Sequence, residues 1–190
     1  MRKIVFDIET AGTFVGRPDP ATLELTIVCI WDSETNEYSS YLKEELPKLW
    51  QILERSDMLI GYNSDHFDIP ILNKYYPGDL TRIKSLDLMT EVQNVLGRRL
   101  RLDALAQATL NKKKSGHGTD AMEWWAKGQI DKLRKYCLKD VEITKDLYEY
   151  ALKNGLVKYR DLVDGMRDIK LDTSKWETAN TSSMTHTLPF

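Results

Sequence analysis

The order of periodicities constrains this chain most, because three strand-like segments come before the first helical one. Lys3 to Ile8 is a short apolar run, and Leu23 to Trp31 is a second β-rich stretch. Tyr38 to Leu42 is a third, entered through the turn Ser33-Glu34-Thr35-Asn36, so the chain is expected to begin with antiparallel strands. Lys43 to Arg55 then spaces Leu46, Leu49, Trp50 and Leu53 as one helical face, and Asp57 to Tyr62 returns to an apolar strand. A helix is expected near Asp68 and Pro70 and a strand around Ile83 to Leu88, after which every periodic segment reads as helical. This order predicts an α/β fold: a mixed sheet of three antiparallel N-terminal strands plus parallel strands, flanked by helices. Ligands are expected beyond the carboxyl ends of its central strands.

The chain has 190 residues, 42% of them hydrophobic, which suits one domain that needs neither disulfides nor a structural metal. A formal charge of -2 excludes a generally basic, chromatin-coating protein and requires any nucleic acid to be held by a local patch. Cys29 and Cys137 have no zinc-like spacing and read as reduced core residues. The apolar stretch after Met1-Arg2-Lys3 is interrupted at once by Asp7 and Glu9, unlike a signal peptide or membrane helix, so a cytoplasmic protein with no membrane partner is expected. Residues 1–170 are expected to form the domain. Residues 171–190 are polar and Thr/Ser-rich, with only Trp176, Met184, Leu188 and Phe190 to pack, and read as a disordered or attachment segment.

Within Phe6-Asp7-Ile8-Glu9-Thr10, the two-residue period of a strand puts Asp7 and Glu9 on one face and Ile4, Phe6 and Ile8 on the other. Adjacent carboxylates repel each other and resist desolvation, so a cation between them explains their place at the end of a buried strand; solvent-facing acids at a fraying strand end are the alternative. The helix expected from Gln129 to Leu152 carries a core stripe of Leu133, Cys137, Asp140, Thr144, Leu147 and Ala151. Asp140 therefore needs a partner, either a metal or a basic group, and Tyr136 lies one turn earlier on the same face. Asp68 follows a strand and precedes Pro70, where it is open to reading as a helix N-cap. Three separate segments thus deliver acids to places that one sheet topology would bring together.

In order, Phe6-Asp7-Ile8-Glu9-Thr10, Asn63-x-x-x-Phe67-Asp68 and Tyr136-x-x-x-Asp140 resemble the three Exo motifs of the DEDD exonucleases, whose fold is RNase H-like. Tyr136-Cys137-Leu138-Lys139-Asp140 is especially similar to the proofreading domain of family B DNA polymerases. The histidine branch would need His at position 135, where this chain has Lys135, so the resemblance is to the tyrosine (DEDDy) branch.

The resemblance implies a 3'-5' exonuclease with Asp7, Glu9, Asp68, Tyr136 and Asp140 as its catalytic set. It implies two Mg²⁺ or Mn²⁺ ions: Asp7 bridging both, Glu9 and Asp140 helping to hold the water-activating one, and Asp68 supporting the second. Hard oxygen ligands suit either metal. Tyr136, with a free phenol pKa of about 10, would orient the water rather than deprotonate it unaided. Thr10, Asn63 and Phe67 are expected against the terminal nucleotide by motif position. The substrate implied is the 3' end of nucleic acid, with single-stranded DNA favoured over RNA. A catalytically silent nucleic-acid-binding module is the alternative. No polymerase region follows within these residues, so action alone or with a protein partner, such as a separate polymerase or repair factor, is expected. Arg98, Arg99, Arg101 and Lys112-Lys113-Lys114 form a local basic supply that either tracks phosphates or is a solvated face. Phe14, Trp124 and Trp125 are either base-stacking platforms or core.

Overall fold

Strand β1 (Lys3–Ala11) is the centre around which the chain is built. It pairs antiparallel with β2 (Glu24–Asp32), which pairs antiparallel with β3 (Glu37–Leu42). On its other side β1 pairs parallel with β4 (Met58–Gly61), which pairs parallel with β5 (Lys84–Asp87). The result is a five-stranded sheet in the order β3-β2-β1-β4-β5, and its mixture of antiparallel and parallel pairs is the one the order of segments predicts. The computed structural model describes residues 1–12, 22–112 and 118–178.

The alternation in β1 separates two cores. Ile4, Phe6 and Ile8 join β2 and β4 residues in packing on α1 (Leu46–Leu53) and α2 (Asp68–Leu72), through Leu49, Trp50, Leu53, Ile69 and Ile71. Val5 faces the opposite way, with Ile27, Cys29 and Ile60, toward α6 (Ile130–Asn154). That 25-residue helix buries Leu133, Cys137, Asp140, Thr144, Leu147 and Ala151, the stripe read from its spacing, and ends where Gly155 takes a left-handed conformation (φ 66°). Helices α3 (Leu88–Leu96), α4 (Leu102–Leu110) and α5 (Gly118–Ala126) complete the layers.

The expectation of helices alone after Leu88 is wrong. Strands β6 (Leu156–Asp161) and β7 (Gly165–Lys170) form an antiparallel hairpin outside the main sheet. Only Val157, Tyr159 and Ile169 are buried in these strands, while Leu162 and Val163 at the tip are fully or almost fully exposed. A period-two signal needs several inward apolar residues per strand; here it is too short, and the apolar tip obscures it further.

Beyond the hairpin, residues 171–178 pack on the domain. Trp176 is 4% exposed, stacks on Tyr148 at 6.0 Å between ring centroids and donates through Nε1 to Glu91 at 3.0 Å. Glu177 pairs with Lys3 at 2.5 Å and accepts from the Tyr148 hydroxyl at 2.6 Å. Met184, Leu188 and Phe190 lie outside the described residues. Among the described residues no helix is long and apolar enough to cross a membrane.

The head of β1 is tied to the end of β2 by a two-pronged ion pair, Arg2 Nη2 to Asp32 Oδ2 at 2.5 Å and Nε to Oδ1 at 3.2 Å. Burial alone would raise the Asp32 carboxyl, but the hydrogen bonds from Arg2 and the Glu34 amide, together with the Arg2 charge, hold it below the usual carboxylate range. A carboxyl lowered in the folded state contributes stability above its unfolded pKa of about 3.9 and loses it as the pH falls through the folded value. In Arg2→Ala burial prevails, the folded pKa rises, and acid unfolding followed by circular dichroism is expected to begin at higher pH. An unchanged acid midpoint would remove this pair from the stability of the fold.

Candidate active site

The site is assembled where β1 outruns its parallel neighbour. β1 and β4 pair from Lys3 and Met58 only as far as Val5 and Ile60, because the chain leaves the sheet after Gly61. A Cβ at Gly61 would collide with the Cβ and Oγ of Ser64, so glycine permits the tight turn. Asn63 follows with φ 65°, a left-handed conformation that asparagine tolerates better than most residues. The turn delivers Asp68 as the first residue of α2, with Phe67 as the N-cap. Asp68 does not cap; its Oδ1 accepts the Ile8 N–H of β1 at 3.1 Å, a donor on the edge that β4 has vacated. One hydrogen bond therefore joins the second acidic segment to the first.

On the other edge of β1 the register with β2 shifts, with Glu9 opposite Ile27 and Thr10 opposite Leu25. Thr26 is the extra residue of this bulge, and its hydroxyl donates to the Glu9 carbonyl at 2.9 Å. Asp140 comes from α6, 3% exposed, and Cys137 on the same helix lies with Sγ 3.4 Å from the Asp7 carbonyl. Burial pushes the Cys137 thiol up, with neighbouring Cys29 adding to it; both cysteines are buried core groups where α6 sits on the sheet.

These elements bring carboxylate oxygens of Asp7, Glu9 and Asp140 within 4.8 Å of one another. Oxygens across a cation of Mg²⁺ size lie about 4.2 Å apart at most, so a trio of oxygens within 4.8 Å has the dimensions to share one ion. Asp68 stands outside that trio but lines the same cleft of about 270 Å³, with Asp7, Glu9, Thr10, Asn63, Phe67, Tyr136 and Asp140. The five catalytic and three nucleotide-contact residues named from the sequence thus all border one cavity. Burial pushes the Asp68 carboxyl well above the usual range and the nearby charge of Asp87 adds to it, against the lowering effect of the Ile8 amide. A positive charge in the cleft would relieve both effects.

Three lining residues were not read from the sequence: Ile8, Tyr62 and Met122. Met122 comes from α5, whose Trp124 meets the Tyr136 ring edge-on at 5.7 Å and 67°. Trp124 is partly buried against the core and braces Tyr136, while Trp125 is packed likewise; Phe14 lies outside the described residues. Tyr62 closes another wall, its hydroxyl donating to the Leu100 carbonyl at 2.9 Å. Asn63 Oδ1 is a buried acceptor with no hydrogen-bond donor among the described residues, and its side chain borders the cleft. An unmet acceptor of this kind costs about 1–3 kcal/mol, which a donor on a bound molecule would recover.

The basic supply is engaged elsewhere. Arg98 lies over the Tyr159 ring and 3.9 Å from Asp161, Arg99 donates to Gln93, and Arg101 forks onto Asp103. Lys112 is paired with Glu142 and Asp146; Lys113 and Lys114 lie outside the described residues. The described members read as a paired, solvated face rather than a groove.

The model of the RNase H superfamily matches residues 4–152, well over half of the chain. The chain belongs to the RNase H superfamily. The RNase H module so delimited holds the five-stranded sheet and every cleft residue, and it ends before the β6–β7 hairpin. Among solved structures, the RNase H fold here is similar to a family B DNA polymerase from the hyperthermophilic archaeon Pyrobaculum calidifontis, with a TM-score of 0.63 and 20% identity. That likeness covers 80% of this chain and 24% of the polymerase, so it concerns the fold of one part of a larger protein. No curated protein matches this RNase H chain in sequence.

Proposed function

We propose that the cleft is the active site of a metal-dependent 3'-5' exonuclease that hydrolyses the terminal phosphodiester of nucleic acid, single-stranded DNA by preference. The observation that carries this is the convergence of Asp7, Glu9 and Asp140, from a strand and a helix far apart in sequence, within 4.8 Å. The same cleft is bordered by Tyr136 and Asp68, and the order of the three motifs supports 3' polarity.

Two divalent cations, Mg²⁺ or Mn²⁺, would supply charge neutralisation on the phosphate, a nucleophilic water and stabilisation of the departing 3' oxygen. Asp7, Glu9 and Asp140 would hold one and share Asp7 with the other, which Asp68 supports. Tyr136 donates or accepts a hydrogen bond that points the attacking water at phosphorus, with Trp124 fixing its ring. Asn63 Oδ1 accepts from the terminal nucleotide, and the Thr10 main chain and the Phe67 ring hold the sugar and base. The acids and Tyr136 therefore divide the work: the carboxylates set charge and the phenol sets direction.

The test is a 5'-labelled strand of DNA, RNA or mismatched duplex incubated with Mg²⁺, Mn²⁺ or chelator. A ladder shortening from the 3' end, abolished by chelation, is expected. Tyr136→Phe should slow that ladder about 10- to 100-fold while leaving Mn²⁺ affinity by calorimetry within twofold, as expected for a lost orienting hydrogen bond. Intact folded protein that degrades nothing with either metal would instead indicate a binding module, and cuts within a circular strand would indicate an endonuclease.

A further inference from the structure

The residue that shapes the cleft without lining it is Asp87, at the end of β5. It is 3% exposed, and its Oδ1 accepts the amides of Asn63 at 2.8 Å, Met89 at 2.9 Å and Thr90 at 3.4 Å. Its Oδ2 accepts the amide of Asp65 at 3.2 Å. Met89 and Thr90 are the first-turn donors of α3, so half of this arrangement is an ordinary N-cap. The other half is not needed by any helix. It reaches across to the turn between β4 and α2 and ties down the left-handed Asn63, whose side chain borders the cleft. Two positions earlier on the same face of β5, Ser85 donates to Asp65 Oδ1 at 2.5 Å, gripping the turn a second time.

We infer that Asp87 is a positioning residue: its carboxylate holds the Asn63–Asp65 turn so that Asn63 and Asp68 face the cleft in the geometry a 3' terminus requires. This rests on the exonuclease reading for its consequence, and on hydrogen bonds alone for the tether. A left-handed asparagine beside a tight glycine turn has several competing conformations, and without Asp87 its part-buried amide and that of Asp65 would turn to water for their hydrogen bonds. A buried charge beside Asp68 is tolerated because the carboxylate is saturated with N–H donors.

Serine separates the two halves of the role, because it caps a helix about as well as aspartate but is too short to reach across to the turn. Asparagine keeps Oδ1 for Asn63 and the cap but presents an amide group to the Asp65 N–H. In Asp87→Ser, amide hydrogen exchange at Asn63 and Asp65 is expected to accelerate at least about tenfold, while Tyr136 and Asp140 amides in α6 keep their protection. The KM for a 3'-ended strand should rise about tenfold or more with a smaller change in kcat, and Asp87→Asn should fall between serine and the parent on both measures. Mn²⁺ affinity at Asp7, Glu9 and Asp140 should stay within a few fold in both variants. If Asp87→Ser merely lowers Tm, with exchange at Asn63 and Asp65 and KM unchanged, Asp87 is only a helix cap and the inference is overturned. If the parent protein degrades no substrate yet exchange accelerates in Asp87→Ser, the tether stands and it is the exonuclease reading that fails.

Discussion

Asp7→Asn should lower 3'-end degradation by about three orders of magnitude or more, a loss near 4 kcal/mol in transition-state stabilisation. The size follows from position. Asp7 belongs to the acidic trio and is next in sequence to Ile8, whose amide anchors Asp68, so it links the two acidic parts of the cleft. Asparagine preserves shape and the backbone pairing of β1 while removing one charge from three carboxylates lying within 4.8 Å. In the absence of divalent cation the variant should therefore melt at the same temperature as the parent or higher, since like-charge repulsion is reduced. Adding Mn²⁺ should raise the melting temperature of the parent and leave the variant nearly unmoved, because a ligand stabilises only the protein that binds it. A variant that keeps parent-like activity, or that still gains stability from Mn²⁺, would place the metal away from Asp7.

The second large effect concerns stability. Trp176→Ala is expected to cost about 3–5 kcal/mol, the range for truncating a buried aromatic, and to lower Tm by about 10 °C in a domain of this size. Trp176 is 4% exposed and stacked on Tyr148 of α6, and its indole N–H is bonded to Glu91 of α3. It therefore ties α6 to α3 through a single side chain. Trp176→Phe should keep the ring stack but strand the Glu91 acceptor, and lose about 1–3 kcal/mol less than alanine does. Urea denaturation of the three proteins measures the series. A loss below about 1 kcal/mol for alanine would mean that the 171–178 segment rests on the domain without holding it.

Legibility from the sequence follows how local the physical cause is. Asp7 and Glu9 were readable as a pair because strand geometry alone puts them on one face, and Asp140 because a helix stripe with one carboxylate in it is anomalous wherever the helix lies. The N-cap alternative for Asp68 is a local argument too, and the structure departs from it: the carboxylate is drawn to the Ile8 amide by a vacancy in the sheet edge that no window of sequence contains. Asp87 carried a legible signal, an aspartate before a helical run, but that signal announces only the cap and not the grip on Asn63 and Asp65. The hairpin of β6 and β7 was missed because each strand buries too few residues to show its period.

By itself the sequence determined the order of strands and helices as far as α6, the faces of β1 and α6, and the residue types available for holding a cation, because each depends on spacing along one element. The tertiary structure decided which acids meet. It drew Asp7, Glu9 and Asp140 into one trio and set Asp68 beside rather than within it. It turned the arginines of residues 98–101 onto neighbouring acids, an amide and a ring rather than a substrate groove, and it braced Tyr136 with Trp124. Those outcomes depend on where one strand stops pairing with its neighbour and on how a helix from the far end of the module packs across it, and such distances are set only when the whole core closes.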